Sequence, residues 1–281
     1  MNIKPWSKMP VEWIKDGRIQ SFAWRTDGSA GTAALMLLFV FCHFVSERLA
    51  RSSLPARVEP GVSTTAANPY AAHLSVAPNW GFGSGVLEAV GGVGLVVPES
   101  VITERVAHLT YDDFGAFTGL SRKSIAAGLK LLEMRKMIRR CGSARTGDYH
   151  LEGLELSKRW AKLPGQALLS PGRTTFTPLT RLDLRSRHEL NALKLHFYYA
   201  SIRDGKQAYS ECTFETINAK TGVAERDIPK ANSILLNVGL LARYVRHEKD
   251  DKGYSANRYY MEGYGSLFAQ TGIPAARAEE R

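Results

Sequence analysis

With 281 residues, 44% of them apolar, the chain is long enough for one large or two ordinary domains and apolar enough to pack their cores. A formal net charge of +10 and a pI near 9.6 favour a polyanionic partner, either nucleic acid or an acidic membrane surface. The three cysteines, Cys42, Cys141 and Cys212, are widely separated and form no CxxC, which argues against a disulfide scaffold and fits a reduced cytosolic chain.

The opening segment, MNIKPWSKMPVEW, lacks the apolar run and cleavage site of a secretory signal. Gly31 to Val45 follows as an apolar run of 15 residues containing His43, shorter than the roughly 20 residues of a membrane span and closed at once by Ser46, Glu47 and Arg48. It reads as a buried first helix, with a membrane anchor as the alternative. From about 51 to 107 the chain is rich in proline and glycine and reads as a long loop or arm. Its Gly81, Gly83, Gly85 and Gly91, Gly92, Gly94 clusters lack the Gly-Lys-Ser/Thr that a phosphate loop needs.

Leu109 to Ile138 predicts two short helices around a tight turn. Thr110 caps the first, with Asp112 and Asp113 in its first turn, and Thr118-Gly119 ends it. Ser121 caps the second, whose apolar Ile125, Leu129 and Leu132 share one side. This is the pattern of a helix-turn-helix. Arg139 to Gly153 then reads as a β-hairpin, with Gly-Ser and Thr-Gly-Asp as turn residues.

The whole series returns. Trp160, Lys162 and Pro164 repeat the spacing of Trp6, Lys8 and Pro10, and Phe176 follows as Phe22 does. Ala192, Leu193, Leu195 and Phe197 match Ala34, Leu35, Leu37 and Phe39, with Lys194 and His196 inside the second run. Thr213 to Leu241 matches Thr110 to Ile138 without a gap at an offset of 103: Ala116 with Ala219, Gly119 with Gly222, Ile125 with Ile228 and Leu132 with Leu235. Asn232 departs, standing opposite Leu129 at an expected core position. Ala242 to Gly263 predicts a second, longer hairpin that returns through Tyr259 and Tyr260. The expected class is therefore α+β, mostly α, with two tandem winged-helix domains: 1–158 with the insert at about 51–107, then 159–267, then a flexible tail 268–281.

Residues facing away from the helix cores are the ones placed to meet DNA. In the first recognition helix they are Arg122, Lys123, Ser124, Ala127 and Lys130; in the second, Arg226, Lys230, Ser233 and Asn237. Arginine can bond guanine at two points and asparagine adenine, whereas lysine and serine more often hold phosphates. The hairpins add Arg139, Arg140 and Arg145 in the first wing, and Arg243, Arg246, His247, Lys249, Lys252 and Arg258 in the second. No catalytic constellation is evident: the seven histidines form neither a His-x-His pair nor HExxH, and GxSxG and a Walker lysine are missing. No metal and no cofactor is expected.

Two winged helices in a chain of this length resemble the initiators of iteron-containing plasmids. The resemblance covers most of the chain except the insert and tail, and rests on architecture, not on a diagnostic motif. It implies that the first winged helix handles dimer contacts and the second reads a DNA repeat, which would put the principal base contacts on Arg226, Lys230, Ser233 and Asn237. The insert departs from the family's pattern. The expected function is sequence-specific binding of double-stranded DNA by a plasmid or mobile-element replication initiator, without catalysis, in the cytoplasm. Partners would be a second copy and host replication proteins, and no membrane. A winged-helix transcriptional regulator needs the same parts, and a membrane-associated or protein-interaction protein using the helix at 31–45 is the alternative from another class.

Overall fold

The computed structural model describes residues 4–51, 101–141, 147–153, 159–172, 174–205, 207–246 and 256–265. Both halves of the chain run through the same elements. The first is β1 (Trp6–Pro10), α1 (Glu12–Lys15), α2 (Trp24–Phe44), β2 (Val45–Arg51), β3 (Val101–His108), α3 (Tyr111–Thr118), α4 (Arg122–Met134), β4 (Ile138–Cys141) and β5 (Asp148–Leu151). The second is β6 (Trp160–Pro164), α5 (Thr177–Thr180), α6 (Arg187–Ile202), β7 (Ser210–Cys212), α7 (Phe214–Thr221), α8 (Ile228–Val238), β8 (Leu241–Val245) and β9 (Asn257–Met261). The class is α+β.

Sheet topology repeats with the elements. The strand before each two-helix unit pairs with the second strand of the hairpin after it, giving the orders β3-β5-β4 and β7-β9-β8, with β2 added beside β3 in the first half. Neither β3 nor β7 was expected from the sequence, and β3 occupies part of the supposed insert; the rest of the insert, 52–100, lies outside the described residues. The apolar run becomes α2, interrupted by Gly28 at φ 52°, after which every residue from Gly31 to Cys42 is buried. By length and composition α2 could cross a membrane. Here it is a core helix, packed on α4 and on α6. A helix apolar on all sides needs neighbours on all sides, and α2 has them.

The halves do not form separate cores at the expected 158/159 boundary. Residues 1–48 and 104–281 make one compact unit, and 49–103 a second. Three features join the halves within the first unit. The Trp-x-Lys-x-Pro segments are strands that pair with each other, antiparallel, with Lys8 opposite Lys162 and each tryptophan opposite a proline. Equivalent residues paired in this way create a local two-fold axis. The segment before α5 then docks on α3: Phe176 N–H donates to the Phe117 carbonyl at 3.0 Å and Thr175 Oγ1 to that of Ala116 at 3.1 Å. In the other direction, buried Lys194 on α6 donates to the carbonyls of Gln20 at 3.1 Å and Phe22 at 2.8 Å. Burial, with Arg135 close by, lowers its pKa to about 8 against the opposing pull of Asp27.

Gly128 sets how closely α4 approaches α2. A Cβ there would lie 2.8 Å from Leu37 Cδ1, 3.0 Å from Ala34 N and 3.2 Å from Ala33 C. The two backbone atoms cannot turn aside as a side chain can. Gly128→Val is expected to destabilise the protein by roughly 1–3 kcal/mol through overpacking, read by denaturant unfolding. An unchanged midpoint would contradict this helix contact.

His196 is 1% exposed beside Phe39, and both its ring nitrogens lack a hydrogen-bond partner. Burial lowers its pKa to about 3. The unfolded chain, with an ordinary imidazole, therefore binds the extra proton between about pH 6.5 and 3. The stability contributed by the neutral ring is full above that window and is lost as pH falls through it. Replacing it by His196→Phe is expected to flatten the stability–pH slope by up to about 1.4 kcal/mol per pH unit. Parallel slopes for the two proteins below pH 6.5 would refute the assignment.

Candidate nucleic-acid interface

The candidate surfaces lie on two equivalent helices. In the first half, Thr110 caps α3 reciprocally with Asp113, Gly119 turns the chain at φ 74°, and Ser121 caps α4 by accepting from Ser124 N–H at 3.2 Å. In the second, Thr213 caps α7 and Gly222 turns at φ 68°. Ile125, Leu129 and Leu132 are buried on one side of α4, as Ile228, Ala231 and Leu235 are on α8.

The opposite sides form matching stripes. Lys123, Ala127, Lys130 and Met134 recur at spacings of four, three and four, and Arg226, Lys230, Ser233 and Asn237 occupy the same positions one repeat later. All are exposed except half-buried Ala127; Met134 is 67% exposed. Arg226 departs from expectation in one respect, since it lies in a 3-10 turn, Glu225–Asp227, ahead of α8 and not on the helix. Pro229 explains this: it has no N–H to donate back to Glu225, so α-helical bonding cannot begin there and the chain enters through a tighter turn.

Among the described residues, Lys123, Lys130, Arg226, Lys230 and Asn237 form no hydrogen bond or ion pair with another side chain. The remaining candidates are engaged. Arg122 pairs with Asp112 at 2.7 Å, both highly exposed. Ser124 sits in the Ser121 cap, and Ser233 Oγ donates to the Pro229 carbonyl at 3.0 Å. Arg139 faces Glu152 at 3.4 Å and Arg140 faces Glu133 at 3.5 Å. Arg243 lies over Tyr260 at 4.2 Å and Arg246 over Phe214 at 5.6 Å, while Arg258 sits 3.8 Å from Glu211 and over Tyr209. Arg145, His247, Lys249, Lys252 and the tail lie outside the described residues.

No protein-family model, curated protein or solved structure matches the chain. Its reading rests on its own geometry. Among the described residues, no group of three or more His, Cys, Asp or Glu side chains could hold a metal ion. Tyr259 is fully buried in β9 and stacks on Tyr199 with ring centroids 4.1 Å apart; burial pushes its pKa up.

Sequence reasoning missed what sets the pose of α8. Asn232, the polar departure from the repeat, is buried and accepts a 2.9 Å hydrogen bond from the Tyr199 hydroxyl on α6. The repeat itself carried the signal, because α2, on which α4 packs, has Phe41 where α6, on which α8 packs, has Tyr199. Asn232→Leu would strand the Tyr199 hydroxyl in the core and is expected to cost about 1–3 kcal/mol. Adding Tyr199→Phe should recover most of that loss. Additive costs in the double variant would mean that the hydrogen bond does not govern this contact.

Proposed function

We propose that the chain is a sequence-specific double-stranded DNA-binding protein that carries two winged-helix units in one body and acts as a plasmid or mobile-element replication initiator. The observation that carries the reading is the matched pair of exposed, unpaired stripes: Lys123 and Lys130 on one helix, Arg226, Lys230 and Asn237 on and before the other. Each helix stands second after a glycine turn and is followed by a hairpin, the order in which a recognition helix and its wing occur. The net charge of +10 supplies the attraction for phosphates. On this reading the protein binds and remodels origin repeats without catalysis, in the cytoplasm, with a second copy and host replication proteins as partners. Transcriptional regulation is the second reading. It uses the same surfaces, and direct repeats or partition genes beside the coding sequence would distinguish the two.

The stripes divide the work. Arg226 and Asn237 suit base edges, while Lys123 and Lys130 suit phosphates. A selected duplex and a scrambled one are titrated with each variant between about 50 and 200 mM salt. Wild-type affinity is expected to fall steeply with salt. Arg226→Ala should cost about 1–3 kcal/mol on the selected site and relax the preference for it. Lys123→Ala should weaken both duplexes nearly equally and reduce the salt slope by about one. A flat salt profile, or affinities that neither substitution changes, would reject the interface.

A further inference from the structure

On the outer face of the β1–β6 ribbon, aromatic rings and cations alternate. Met9, Ala161 and Leu163 point into the core, so their neighbours along each strand point out. Trp6 and Trp160 start from opposite ends of the ribbon and fold inward over the Lys8–Lys162 pair. Their rings stack with centroids 5.4 Å apart and planes within 1° of parallel. Lys8 Nζ lies 5.4 Å from the Trp160 ring, and Lys162 Nζ 4.9 Å from the Trp6 ring. Trp160 remains 43% exposed, and exposed Lys4 extends the cationic row at one strand end.

Holding the ribbon to the core does not need these rings, because Met9 and Leu163 on its other face already do so at 0% exposure. We propose that this face binds single-stranded nucleic acid, with phosphates on the lysines and bases stacked on the tryptophans. A duplex hides its base faces within its own stack, whereas a single strand offers them to any flat ring. Lys162 rests on the half-buried Trp6 ring by a contact of modest strength, so an incoming base can take its place on the ring while the lysine turns to a phosphate. Two rings packed against each other and against lysines present little apolar depth to a lipid surface, which disfavours a membrane as occupant. The site is separate from the two helical stripes and does not depend on the duplex reading.

The test uses the full chain and a labelled oligo(dT) of about 16 nucleotides, followed by anisotropy, with a random duplex and anionic phosphatidylserine vesicles alongside. Wild type is expected to bind the oligonucleotide. Trp160→Ala should weaken that binding roughly tenfold and Trp160→Phe should keep most of it, with duplex affinity and melting temperature unchanged. If Trp160→Ala does not fold, the Lys8→Gln, Lys162→Gln double variant takes its place and should lose oligo(dT) affinity with duplex affinity retained. Unchanged oligo(dT) binding, an equal loss on oligo(dT) and duplex, or Trp160-dependent binding to vesicles but not to oligo(dT) would each overturn the proposal. Duplex binding that fails while oligo(dT) binding persists would sink the duplex reading and leave this one standing.

Discussion

The fold depends on burying two helices that have no solvent side. Gly31 to Cys42 of α2 is buried without interruption, and so are Glu189, Leu190 and Ala192 to Ala200 of α6. Each half covers part of its own central helix, α4 over α2 and α8 over α6, and the two central helices cover each other. A half taken alone would expose one flank of an apolar helix, and the hydrophobic effect opposes that in proportion to the area uncovered. Polar groups caught in the contact are accommodated where they can be. Lys194 finds two carbonyls across the boundary, and His196 stays neutral.

That constraint fixes the candidate interface. The turns that present α4 and α8 are braced from the opposite half: Gly119 lies against Thr180, and Gly222 against Gln20, where an added Cβ would come within 3.4 and 3.1 Å respectively. The two stripes are thus held by a common core and not by a linker. A partner that engages both meets surfaces whose spacing is already set, so little ordering entropy is lost on binding.

Much of this was legible in the sequence because it is local or periodic. Caps at Thr110, Ser121 and Thr213, the glycine turns and the apolar spacing of Ile125, Leu129 and Leu132 depend on neighbours a few residues away. The internal match between halves extended that reading over most of the chain. What it could not give was which half each surface meets. Trp6 to Pro10 and its repeat carry no strand signal beyond their likeness to each other, and they become strands only because each is the other's partner. Lys194 looked like a polar intrusion into an apolar run until the Gln20 and Phe22 carbonyls appeared above it. Arg139 and Arg140 looked available until Glu152 and Glu133 appeared beside them. Charge counts do not show pairing, and long-range pairing decides which cations remain open to a ligand.

The ribbon at Lys8 and Lys162 has the arrangement found between protomers of a symmetric dimer, where residue i of one copy faces residue j of the other and the reverse. In such a dimer every substitution is made twice, and both sides must tolerate it. Joining the copies in one chain removes that obligation. One copy has Leu129 and Lys130 where the other has Asn232 and Ser233, and Lys123 where the other has Arg226. Covalent fusion of the pair thus allows the two faces to specialise while the seam between them stays symmetric.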